Sequence, residues 1–213
     1  MWPSTATPAG SWWRRRSSGL ARLPCGRRRK KVGNVLFFRK KLTPEKFAEQ
    51  LGKLMVDVVV HDWTTLQKTW RREFDDRTKA ALRAEFAVFM LAVADRFTRQ
   101  IHDQHVHARI MQSAISATRA RFTDQRANPY ERELHFDRLH SARARKYASC
   151  SSIIGEEPNS LVSFAASHFV ETFLPDVPRS QLPAVLDATV KTLTEDAASL
   201  MHVPPFGDYH LVL

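Results

Sequence analysis

The sequence of 213 residues contains little cysteine, little glycine and no long apolar run, and each shortage argues against a class of protein. Two cysteines, Cys25 and Cys150, are too few for a disulfide framework or a cysteine-built zinc finger. The longest apolar run, Phe86–Ala94, is far shorter than the roughly 20 residues that span a bilayer. The seven glycines are scattered singly and form no phosphate-binding loop. We therefore expect neither an integral membrane protein nor a transferase built on a standard nucleotide motif.

Acidic residues are missing from the first 44 positions, which carry eight arginines and four lysines. These twelve cations exceed the net charge of +11, so the chain from Glu45 onward has a net charge of −1. Residues 1–31 are also rich in Pro, Gly and Ser and show no apolar period, which predicts a disordered basic tail. The tail is either a translated stretch upstream of the true start, a targeting segment, or an arm that binds nucleic acid.

Proline is also absent between Glu45 and Asn128, where Gly52 is the one glycine. Apolar residues recur there and beyond at spacings of three and four, the period of an amphipathic helix. We predict helices over 44–71, 77–122, 129–146, 161–174 and 181–201, the second of which is either one helix or two broken near His102–His107. Residues 32–213 are therefore predicted to form one all-α bundle of about five to six helices.

Helix starts are marked by residues that suit N-terminal capping. Thr43 precedes Pro44, Asp75 precedes the second predicted helix, Asn128 precedes Pro129, and Pro158-Asn159-Ser160 opens the fourth. Their side-chain oxygens can accept hydrogen bonds from free N–H groups of the first helical turn. The fourth predicted helix carries apolar residues on nearly every side, so we expect it to be the buried central helix.

Histidines crowd into one short stretch that contains His102, Asp103, His105 and His107. His102 and His105 lie three residues apart, so on a helix both imidazoles can reach one metal ion. Without a metal, the apolar pattern of the second predicted helix runs through His105. It predicts a buried His105, with His102 and His107 at the solvent boundary.

His61, the dipeptide His102-Asp103 and Asp137 follow the order His … His-Asp … Asp. In these four positions the chain resembles the HD-domain phosphohydrolases, which are all-helical metalloenzymes. The resemblance implies that these four residues bind a divalent metal such as Zn, Fe or Mn. Such a metal would polarise a phosphoryl or acyl oxygen and lower the pKa of a bound water.

A basic segment runs from Arg119 to Lys146 and holds eight cationic residues against four acidic ones. A helix with this charge can bind phosphate or an acidic protein surface, and Arg138, Arg143, Arg145 and Lys146 are the predicted contacts. The chain after Gly155 has a net charge of −6 and is a complementary surface, in the same molecule or in a second copy.

These patterns favour a soluble, cytoplasmic interaction or regulatory module that has no enzymatic activity and needs no cofactor. Its expected partner is another protein or a second copy of the chain. Two alternatives stay open. One is a metal-dependent phosphohydrolase of the HD-like kind, and the other is a nucleic-acid-binding protein that uses the basic tail and the segment 119–146.

Overall fold

A computed structural model describes residues 43–58, 63–124, 128–155, 159–203 and 206. These residues form helices joined by turns, together with one isolated parallel bridge between Ser152 and Ser160. The helices are α1 (Pro44–Asp57), α2 (Thr64–Trp70), α3 (Asp76–Ile101), α4 (Gln104–Thr123), α5 (Pro129–Glu133), α6 (Phe136–Ala148), α7 (Leu161–Phe173) and α8 (Leu182–His202). The predicted all-α fold is confirmed. The predicted tail, 1–31, lies outside the described residues.

All four predicted capping residues act as N-caps. Thr43, Asp75, Asn128 and Ser160 precede α1, α3, α5 and α7, and each side chain accepts a backbone N–H of the first turn. The described chain has eight helices against the five to six predicted, because the first and third predicted helices are each divided in two and the second takes the broken form of its two predicted alternatives. The second breaks at Asp103, whose Oδ1 accepts the N–H groups of His105 and Val106 at 3.0 Å each.

The central helix is α3 and not the predicted α7. α3 packs against α1, α4, α5, α6, α7 and α8, whereas α7 packs mainly against α8 and α3. The buried face of α3 includes Leu82, Phe86, Phe89, Val93 and Phe97. The prediction for α7 was wrong because apolar residues on all sides of a helix indicate that it is buried, but not how many other helices it contacts. α3 is twice as long as α7, with 26 residues against 13, and therefore reaches more helices.

Two further helix pairs complete the bundle. α1 lies against α4 at Gly52, where an added Cβ would come within 3.2 Å of the Ala117 Cβ. α2 lies against α8 through hydroxyl contacts described below. Among the described residues, the helices are all too short or too polar to cross a membrane.

Candidate functional site

The predicted metal ligands have structural roles wherever they are described. Asp103 caps α4, and the Oδ1 of Asp137 accepts a hydrogen bond of 2.6 Å from Arg119 Nε. The ring of His102 packs edge-on against Phe47, with 5.0 Å between centroids. His61 lies outside the described residues. Within the described ranges, no three His, Cys, Asp or Glu side chains group closely enough to hold a metal ion. The four-residue metal site stays a prediction.

The expected burial of the histidines is wrong for two of the three. His105 is exposed, whereas His107 is 9% exposed and its Nε2 lies 2.8 Å from Asp95 Oδ1. The cause is the helix break at Asp103, which shifts the apolar face of α4. That face runs through His107, Ile110, Met111 and Ala114, and it does not continue the face of α3.

Glu85 on α3 is the centre of a buried ionic cluster. Its side chain is 8% exposed and receives three hydrogen bonds from Arg143 of α6, at 2.7 to 3.1 Å. His168 Nε2 of α7 lies 3.2 Å from Glu85 Oε1. Burial alone would raise the pKa of Glu85, but the contacts with His168 and Arg143 outweigh burial and lower it. The guanidinium of Arg143, predicted to contact a partner, is therefore occupied inside the bundle.

Glu131 on α5 forms a second buried cluster. The residue is 1% exposed and pairs with Arg83 of α3 and with Arg121 of α4, whose Nη1 is 3.2 Å from Oε2. The cluster joins three helices through one carboxylate. This role does not follow from the sequence, because the helix dipole alone favours an acid in the first turn of a helix.

These ion pairs divide the cations that α4 and α6 contribute to the basic segment into two groups. Arg119, Arg121 and Arg143 each pair with a carboxylate. Arg138, Arg145 and Lys146 of α6 are exposed, and no acid of the described chain forms an ion pair with them. Arg138 and Arg145 are seven residues apart, which places them on one face of the helix about 10 Å apart along its axis. We call these three residues the α6 basic stripe.

A small, partly open cavity with a mostly apolar lining lies between α6 and the neighbouring helices. Its walls come from α3, α4, α6 and the first residue of α7, and its volume is about 160 Å³. The lining residues with polar side chains are Asp95, Arg96, Arg99, His140 and Tyr147. Cys150, just beyond α6, is 7% exposed, and burial raises the pKa of its thiol, as expected for an unreactive cysteine.

Comparison of the chain with protein-family models, with curated proteins and with solved structures finds no match. The functional argument therefore depends on the geometry of the chain itself.

Proposed function

We propose that this protein is a helical interaction module that binds an acidic surface of another protein through the α6 basic stripe. The observation that carries the proposal is the division of the basic segment. Arginines that hold the helices together have buried carboxylate partners, whereas Arg138, Arg145 and Lys146 are exposed with no such partner among the described residues.

The helix that carries the stripe is fixed from behind at three levels. Near its N-terminus Asp137 pairs with Arg119, and in its middle Arg143 pairs with Glu85. Beyond its last turn, Arg96 of α3 donates to the carbonyl oxygens of Tyr147, at 3.1 Å, and Cys150. A recognition helix that is already rigid loses less conformational entropy on binding, which favours affinity.

The surroundings of the stripe favour an acidic protein over a nucleic acid. Proteins that bind a phosphate backbone follow it with a continuous positively charged groove, whereas the stripe has three cations. Single-stranded nucleic acid also stacks on exposed aromatic rings. In the described part of the chain, Tyr130 is the one aromatic residue with a largely exposed side chain.

A second copy of the chain is a less suitable partner. The exposed face of α8 carries Asp187, Lys191 and Glu195 at spacings of four, so a cation separates its two acids. A stripe of three cations pairs better with a surface of uninterrupted negative charge.

A matched pair of triple variants tests the proposal. The first variant, Arg138→Gln/Arg145→Gln/Lys146→Gln, removes the stripe. The control, Lys68→Gln/Arg77→Gln/Lys191→Gln, removes three exposed cations from three separate helices. Binding of labelled poly-L-glutamate is measured for both at near-physiological salt, beside a single-stranded oligonucleotide of equal length and a sedimentation measurement of self-association.

We expect the stripe variant to bind poly-L-glutamate about tenfold more weakly than the wild type, and the control variant to change by less than threefold. Equal losses in the two variants would show attraction by net charge alone and would overturn the proposal. Tighter binding of the oligonucleotide that depends on the stripe would assign the surface to nucleic acid. Self-association abolished by the stripe variant would assign it to a second copy.

A further inference from the structure

The cavity behind α6 is large enough for a small organic molecule. Its volume of about 160 Å³ is close to that of engineered protein cavities that accept benzene, about 150 Å³. Apolar side chains form much of its wall, including Val88 and Leu91 of α3, Met111 and Ile115 of α4, and Leu161 of α7. Such walls favour a ligand with a compact apolar body.

The polar lining of the cavity has an excess of positive charge. Asp95 is its one carboxylate, and both of its oxygens are already engaged: Oδ1 with His107 Nε2 at 2.8 Å and Oδ2 with Arg99 Nε at 3.0 Å. Arg96 has no carboxylate partner in the described chain, since its Nη2 donates to two backbone carbonyls. The lining therefore holds two guanidinium groups against one occupied carboxylate.

His140 adds a polar group that is free to contact a ligand. Its ring stacks on Phe136 at 6.0 Å, and within the described ranges it forms no hydrogen bond. Burial holds the pKa of His140 below its usual range, so the imidazole is neutral at pH 7 and can donate one hydrogen bond and accept another. The charged groups that act on it are Asp137 of the same helix, Arg119 of α4 and Asp95 of α3.

From the apolar walls, the excess of guanidinium groups and the free imidazole, we propose that this cavity binds a small organic monocarboxylate. The apolar body of the ligand lies against α3 and α4, and its carboxylate lies between His140 and the guanidinium groups of Arg96 and Arg99. The volume limits the ligand to about the size of benzoate or a branched short-chain acid. This proposal is independent of the α6 basic stripe, because none of the three stripe residues lines the cavity.

Calorimetric titration of the full chain tests the class of ligand. Benzoate and isovalerate are the probes, and benzamide, benzylamine and inorganic phosphate are the comparisons. We expect both carboxylates to bind at least tenfold more tightly than the neutral and cationic analogues, and phosphate not to compete with them. Equal binding of benzoate and benzamide would overturn the proposal, and so would competition by phosphate or no binding of either carboxylate at millimolar concentration.

Paired variants test whether the ligand occupies this cavity. Ala144→Leu fills the cavity from α6, whereas Ala142→Leu adds the same volume on the exposed side of that helix. We expect at least a tenfold loss of benzoate affinity in the first variant and less than a twofold change in the second. If Ala144→Leu binds benzoate as the wild type does, the site lies elsewhere and the proposal fails.

Two milder variants keep the test decisive if Ala144→Leu does not fold. His140→Phe keeps an aromatic ring beside Phe136 and removes both ring nitrogens, so we expect roughly tenfold weaker binding of benzoate. Arg99→Gln has a close control in Arg109→Gln, because the two arginines are 65% and 60% exposed and each pairs with one carboxylate. We expect Arg99→Gln to weaken binding about threefold or more and Arg109→Gln to leave it unchanged. Wild-type affinity in both His140→Phe and Arg99→Gln would overturn the proposal.

Discussion

The contacts of α3 with α5 and α6 differ in kind from those between α2 and α8. On the α3 side, buried carboxylates bind arginines from other helices, as Glu85 binds Arg143 and Glu131 binds Arg83. Between α2 and α8, the donors are hydroxyl and indole groups and not arginines: Trp70 Nε1 donates to Thr189 Oγ1 at 2.9 Å, and Thr65 Oγ1 donates to Asp196 Oδ2 at 3.1 Å. We call the contacts of α3 with α5 and α6 the ionic side, and those between α2 and α8 the hydroxyl side.

The difference teaches how to interpret a basic segment in a small helical protein. On the ionic side, arginines such as Arg143 pair with buried carboxylates, although their neighbours in sequence are exposed. The number of cations in the segment therefore overstates the positive charge that is available to a partner. The hydroxyl side uses no arginine, because its threonine hydroxyls form hydrogen bonds with one another and with backbone carbonyls of α8. Thr69 and Thr192, for example, share a hydrogen bond of 2.8 Å.

The largest effect is expected at Glu131, the most buried carboxylate of the ionic side. Glu131→Gln removes the negative charge and leaves Arg83 and Arg121 without their counter-ion. Loss of one partner from a buried ionic cluster typically costs about 3–5 kcal/mol, and we expect this range in the free energy of unfolding by urea. Glu133→Gln, an exposed change on the same short helix, is the control. A similar small effect in both variants would show that the buried cluster adds little stability.

The next effect is expected at Glu85, and it depends on pH. Because contacts with His168 and Arg143 lower the folded-state pKa of Glu85, they stabilise the fold above the pH at which unfolded glutamate titrates, about 4.3. This stability is lost as the pH falls through the lower folded-state value. Glu85→Gln is therefore expected to lose about 3 kcal/mol at pH 7, the lower end of the range for a broken buried pair, and less as the pH is lowered below about 4. A pH-independent loss would contradict the ionic assignment.

On the hydroxyl side a smaller effect is expected. Thr189→Val keeps the shape of the side chain but removes the acceptor of the Trp70 Nε1 hydrogen bond, inside the α2–α8 contact. An unsatisfied buried donor costs about 1–3 kcal/mol, and we expect the lower half of this range because Trp70 is only half-buried. Thr194→Val, on the same helix at a residue that forms no side-chain hydrogen bond in the described part of the chain, is the control in the same thermal unfolding measurement. A loss equal to that of Glu131→Gln would remove the distinction between the two sides.

The smallest effect is expected when both partners of one ion pair are replaced together. Glu85→Leu/Arg143→Met removes the two charges and keeps apolar volume at each position. Replacing a whole buried pair by apolar residues is often close to neutral, so we expect a change of about 1 kcal/mol or less in urea unfolding. A loss larger than that of Glu85→Gln would show that the pair itself, and not the isolated charge, controls stability.

Local signals predicted the helices well and their breaks less well. Thr43, Asp75, Asn128 and Ser160 act on N–H groups only two or three residues away, so their capping roles follow from the sequence. Asp103 has the same chemistry, but it lies inside an apolar pattern, so the sequence left open whether the helix breaks there. The resulting shift in helical phase buried His107 in place of His105, against the prediction.

The candidate sites were predicted less completely, because they depend on contacts distant in sequence. Arg138, Arg145 and Lys146 were predicted to contact a partner and remain available for it, whereas Arg143 was grouped with them and pairs with Glu85, 58 residues away. Nothing in the local pattern separates these four cations. The cavity was not predicted at all, since its lining comes from four helices.

By itself, then, the sequence determined the all-α fold and four of the helix starts, because helical periodicity and capping act within a few residues. It also determined that the chain from 119 to 146 is basic. Only the tertiary structure decided which of those cations face solvent and which polar groups line a cavity. Those properties depend on which helices meet, and that follows from the packing of the whole bundle.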